Sequence, residues 1–151
     1  MDFVSRVINA DKRSIARLIT LIEEQSDEAR NLLKQLYKFT GNAITIGITG
    51  PPGAGKSSIV NLLAKKLRES NKKVGILAID PTSPFTGGAL LGDRIRMQDL
   101  TLDEGIYIRS MGSRGSLGGL SRASYDAVKV LDAAGMDYII IETVGVGQSE
   151  V

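Results

Sequence analysis

Apolar positions recur at intervals of three and four through roughly the first forty residues, the spacing of amphipathic helices. Ile15, Leu18, Ile19 and Ile22 form one such stripe. Ser26-Asp27 interrupts it and reads as the cap of a second helix, with Leu32, Leu33 and Leu36 on its apolar face. Gly41-Asn42 breaks the pattern, and the period then changes. Ile44-Thr45-Ile46-Gly47-Ile48-Thr49 is β-branched and apolar, as a buried parallel strand should be. Three more runs read as strands, at 74–79, 106–109 and 137–141, and helical spacing falls at 56–69 and 120–134. The stretch 80–104 is mixed, with a short helix near 93–99. This alternation predicts an α/β fold with a mostly parallel sheet flanked by helices, preceded by a short N-terminal helical segment over 1–41. For that segment, plain packing and partner binding are equal readings.

The loop between the first strand and the helix after it changes the picture most. Gly50-Pro51-Pro52-Gly53-Ala54-Gly55-Lys56-Ser57 matches G-x-x-x-x-G-K-[ST], the phosphate-binding loop of nucleotide hydrolases, in the strand–loop–helix setting such a loop requires. Glycines let backbone N–H groups turn toward an anion, and the N-terminus of the following helix adds its own donors. Lys56 is placed to reach the β- and γ-phosphates, and Ser57 to offer a hydroxyl to Mg²⁺. An ordinary tight turn has no need of a lysine directly before that serine. Residues 42–151 therefore read as a P-loop nucleotide domain.

Composition narrows the chemistry. The chain has 151 residues, 42% hydrophobic and 24% charged, which suits one globular domain. A formal net charge of +2 gives no reason to expect nucleic acid as a partner. Lys65, Lys66, Arg68, Lys72 and Lys73 read as the solvated face and end of a helix. No run is long and apolar enough for a membrane span, and the N-terminus is not a secretory signal. Absence of cysteine excludes disulfides and fits the cytoplasm. Absence of histidine as well leaves only oxygen ligands, which suit hard cations such as Mg²⁺.

In an open parallel sheet, ligands bind beyond the C-terminal ends of the strands. Asp80, in Asp80-Pro81-Thr82-Ser83-Pro84, and Glu142, in Glu142-Thr143-Val144-Gly145-Val146-Gly147-Gln148, both follow apolar strands and occupy the expected Mg²⁺ position. A lone Asp at a strand end is as often a cap or turn; two carboxylates beside a phosphate loop favour metal. Asp93, in Gly92-Asp93-Arg94-Ile95-Arg96-Met97, reads equally as a cap. Gly145 can offer its N–H to a γ-phosphate and move when that phosphate leaves. Arg94, Arg96 and Arg114 are candidates for transition-state charge, though each reads more readily as a surface ion pair.

Gly47 to Ser58, Asp80 to Pro84, Gly92 to Met97 and Glu142 to Glu150, in this order, resemble the ArgK/MeaB family of P-loop GTPases over nearly the whole chain. The resemblance implies a GTP-hydrolysing chaperone of the cobalamin-dependent methylmalonyl-CoA mutase, guarding the mutase and gating its cofactor loading. An older family label implies an ATP-using kinase or ATPase of amino-acid transport, and a nucleotide-binding fragment without turnover is a third reading. By resemblance, Gly50 to Ser58 and Gly145 hold nucleotide; Lys56, Glu142 and Gln148 serve catalysis; and Ser57, Asp80, Asp93 and Glu142 form the Mg²⁺ shell. This raises Asp93 above its reading as a cap. The implied partners are GTP and GDP, the mutase, and a second copy in a homodimer of the full-length protein. The family's guanine-reading Asn-Lys-x-Asp motif is not found, and Val151 falls inside the second switch, so the expectation is an N-terminal fragment with an incomplete sheet.

Overall fold

The computed structural model describes residues 2–49, 55–80, 100, 102–112 and 121–143, and of Ser57 and Asp80 the backbone alone. Three helices open the chain: α1 (Phe3–Ile8), α2 (Lys12–Glu23) and α3 (Asp27–Leu36), followed by a 3₁₀ turn, Tyr37–Phe39. Each starts on a side chain that accepts a backbone N–H: Asp2 from Ser5, Asp11 from Ser14, and Ser26 from Ala29. Apolar spacing predicts two helices here, and the structure has three. The unforeseen break is at Asn9-Ala10, where Ala10 takes a left-handed φ of 65° and Asp11 restarts the chain as a cap. Periodicity is blind to a break that keeps the apolar face in phase.

The α/β part follows as β1 (Ile44–Ile48), α4 (Lys56–Glu69), β2 (Val74–Asp80), β3 (Ile106–Gly112), α5 (Arg122–Ala133) and β4 (Tyr138–Thr143). The strands form one sheet in the order β1-β4-β2-β3, every neighbouring pair parallel. The expected parallel sheet flanked by helices is present. The expected helix near 93–99 lies outside the described residues.

Alternation along the strands sorts the core into two layers. Leu77, Ile79, Tyr107, Met111, Ile139 and Ile141 face the N-terminal helices and α5, packing with Ile15, Leu18, Ile19 and Leu131. Val74, Ile76, Ile106, Ile108 and Ile140 face the other way and meet Val60 and Ala64 of α4. Helices thus cover both faces, the arrangement a parallel sheet requires. Gly75 lies where α5 comes closest: a Cβ there would sit 2.9 Å from Leu131 Cδ1.

Two expectations need correction. First, β3 does not stop at 109. It runs to Gly112, so Ser110, Met111 and Gly112 are strand residues rather than loop. Arg109 does not end the strand because its guanidinium has partners on the helical layer: it donates to Glu23 Oε1 at 2.6 Å and to Thr20 Oγ1 at 3.0 Å. Second, β1 is not buried. Ile44 is 55% exposed, and β4 is the strand's one neighbour among the described residues. An apolar β-branched run looks the same at the centre of a sheet and at its edge.

The N-terminal ends of the strands are fastened by carboxylates. Asp132 of α5 accepts from the backbone N–H groups of Gly41, Asn42 and Ala43 at 2.8, 3.1 and 3.1 Å. Asp137 accepts from Lys73 N–H at 2.8 Å, and its own N–H returns a bond of 2.8 Å to the Lys73 carbonyl. At the C-terminal end of α4, Arg68 pairs with Asp103 at 3.0 Å just before β3. That hydrogen-bonded guanidinium, joined by the Gly105 N–H, holds the Asp103 carboxyl below its ordinary range.

Candidate phosphate-binding site

α4 begins unlike the other described α-helices. Its N-cap is Gly55, in a left-handed conformation at φ 85°, and no described side chain caps its first turn. The other α-helices, α5 included, each present a capping oxygen there. A side chain at Gly55 would be strained at this φ. The result is a fourteen-residue helix whose leading N–H groups are left for something other than its own side chains.

Lys56 is the first residue of that helix, and its side chain is buried, 8% exposed. Its Nζ donates to the carbonyl of Thr143, the last residue of β4. So the loop lysine lies across the C-terminal end of the strand beside β1. Glu142 is the penultimate residue of that strand and is 1% exposed. It pairs in register with Ile48 on one side and Ala78 on the other. Lys56, 86 positions before Glu142 in sequence, thus bonds the backbone of Thr143, the residue next to Glu142, at one end of the sheet.

Sheet alternation places Glu142 on the α4 face, two residues past Ile140. The same row continues through Ala78 to Ser110 of β3, in register with Ala78. Ser110 is 4% exposed, and its hydroxyl has no hydrogen-bond partner among the described residues. The floor of this row is therefore a carboxylate and a hydroxyl on either side of one methyl group. Asp80 ends β2, in register with Gly112, on the strand adjoining Glu142's own. Ser58 is exposed in the first turn of α4. Gly50 to Ala54, Asp93, Gly145 and Gln148 lie outside the described residues, as do Arg94, Arg96, Arg114 and the side chains of Ser57 and Asp80.

Two contributors escape a reading of side-chain types. The Thr143 carbonyl is backbone and leaves no mark on the sequence. Ser110 is hidden because the run through Arg109 looks like the end of a strand; keeping the alternation going past Arg109 would have found it.

The donor set suits a hard cation. A buried carboxylate is an oxygen ligand of the kind Mg²⁺ takes. Among the described residues no group of three or more His, Cys, Asp or Glu gathers as a metal cage. A cation here would draw much of its shell from phosphate oxygens and water, as Mg²⁺ does at nucleotide sites.

A protein of Pyrococcus abyssi named as a GTPase is 58% identical over 150 residues, spanning 99% of this chain and 46% of its own length. GTPase ArgK of Escherichia coli is 39% identical over 151 residues, spanning 97% of this chain and 46% of its own. The crystal structure of a LAO/AO transport system kinase superposes with a TM-score of 0.76 at 30% identity, covering 98% of this chain and 44% of that one. The chain thus spans about half the length of the relatives it matches. The family described as methylmalonyl Co-A mutase-associated GTPase MeaB matches residues 15–151. That match spans most of the chain, which therefore belongs to the MeaB family of mutase-associated P-loop GTPases.

Proposed function

We propose that the chain is the nucleotide-binding part of a Mg²⁺-dependent GTPase that acts as chaperone to a cobalamin-dependent methylmalonyl-CoA mutase and its cofactor loading. The observation that carries the nucleotide half is the bond from Lys56, at the head of an uncapped helix, to the carbonyl of Thr143, next to Glu142 on the strand beside β1. The chaperone half is supported by family membership and by kinship with a mitochondrial methylmalonic aciduria type A homolog of Caenorhabditis elegans, 42% identical over 159 residues.

The division of labour follows from residue chemistry. The loop Gly50 to Gly55 and the first turn of α4, with Ser58, supply N–H donors to the phosphates, and Lys56 supplies a cation. Ser57, Asp80, Asp93 and Glu142 would hold Mg²⁺, directly or through water. When bound there, Mg²⁺ would supply charge neutralisation for the phosphates. Gly145 and Gln148 belong on the γ-phosphate side, Gly145 as the N–H that senses it and Gln148 as the residue orienting the attacking water. In the form described, Lys56 is engaged by the Thr143 carbonyl, so phosphate binding exchanges one oxygen partner for another.

Isothermal titration with GDP and GTP tests the site. Lys56→Ala should abolish binding, because it removes the cation at the loop; GDP affinity equal to wild type would overturn the assignment. A second reading, an ATP-using kinase of amino-acid transport, is favoured by the name of the solved relative. Thermal protection separates the two: GDP raising the unfolding midpoint supports the GTPase, and ATP doing so in its place supports the kinase.

A further inference from the structure

Ser110 is a buried hydroxyl with nothing to bond to among the described residues, and such a group costs free energy. Burying it unpartnered makes sense only if a partner arrives. Its position says from where. Ser110 shares a face with Glu142, and Ala78 of β2 stands between them in register with both. Parallel strands lie about 4.8 Å apart, so the two side chains rise from points roughly 10 Å apart. Between them in the row stands the methyl group of Ala78. The row ends at the C-terminal end of the sheet, where β4 delivers the Thr143 carbonyl to Lys56.

We propose that Ser110 is a positioning residue for the Mg²⁺ shell, its hydroxyl fixing a water that also contacts the ion held by Glu142. This rests on the reading of Glu142 as a metal-shell carboxylate. Outer partners of this kind orient the inner ligands, and their loss typically weakens metal binding by about 10- to 100-fold. A hydroxyl is suited to the task because it donates and accepts with one rotatable proton. A merely structural serine predicts something different, since its removal would leave metal binding untouched.

The test uses a fluorescent N-methylanthraniloyl-GDP titrated with MgCl₂, beside thermal unfolding of the ligand-free protein. Ser110→Ala should raise the Mg²⁺ half-saturation of the GDP complex roughly tenfold. GDP affinity in EDTA should stay at the wild-type level. The same variant, ligand-free, should unfold roughly 2–4 °C higher, because an unpartnered buried hydroxyl has gone. Ser110→Thr keeps the hydroxyl and should keep wild-type Mg²⁺ dependence. Wild-type half-saturation in Ser110→Ala overturns the proposal, and so does an equal defect in Ser110→Thr. If the wild-type protein binds GDP with no Mg²⁺ dependence, the metal reading of Glu142 falls and takes the proposal with it. If it binds no GDP at all, the loop reading has failed at the step before.

Discussion

Glu142 and Ile140 occupy the same face of β4, two residues apart, and both are fully buried. One fills a core; the other puts a charge where the sheet ends. Glu142→Gln keeps shape and removes charge, so it should impair hydrolysis and Mg²⁺ dependence more than GDP binding, which rests on the loop N–H groups. Hydrolysis rates measured across a Mg²⁺ series would show this, and a wild-type Mg²⁺ profile would leave Glu142 a structural residue of β4 alone. Asp103 offers a test away from the site. Its carboxyl is held below the ordinary range by the Arg68 hydrogen bond and then by the Gly105 N–H. A depressed folded-state pKa stabilises the fold above the unfolded value of about 3.9 and loses that contribution as pH falls further. Asp103→Asn should therefore lower stability at neutral pH and flatten its decline below about pH 4, as denaturant melts at several pH values would record. Lys56 and Glu142 were legible in the sequence because a charge stands out beside a glycine loop or after an apolar run. Ser110 was not, because a small polar residue after an arginine looks like an ending. The Thr143 carbonyl carries no side-chain sign at all.

Elements were read well where one period persisted and poorly where the chain restarted in phase. α4 and α5 lie within two residues of their expected bounds, because glycine and serine mark their starts. The break between α1 and α2 was missed for want of a change in apolar spacing, although Asp11 is as good a cap as Ser26. The order of the strands was not legible either, since pairing depends on partners far away in sequence. Asp132 shows how such partners are fixed: one carboxylate on α5 gathers three consecutive N–H groups at the entrance to β1. Asp132→Ala should cost about 1–3 kcal/mol, the scale for hydrogen bonds to a charged group. Urea unfolding would measure it, and hydrogen exchange should show the loss concentrated at residues 41–44.

At the scale of the molecule, the sheet is covered on both faces and, among the described residues, open along β1. Ile44 on that strand and Ile59 and Leu62 on α4 are all more than half exposed. An uncovered strand edge beside apolar side chains favours association. Sedimentation of the 151-residue chain should reveal concentration-dependent self-association, reduced by Ile59→Lys with Leu62→Glu; a monomer at every concentration would contradict this. The same strand has a history in time. Ile44 pairs with Tyr138, and the Asp132 contacts reach back about as far, so the strand that β1 pairs with among the described residues is synthesised about 90 residues after it. At ribosomal speeds of ~5–20 residues per second, β1 emerges and waits on the order of 5–20 s for its partners. The N-terminal helices wait too, since α5 completes their core. A nascent chain arrested before α5 would hold a finished phosphate-loop sequence and no phosphate site, and affinity for nucleotide should appear only as β4 clears the exit tunnel.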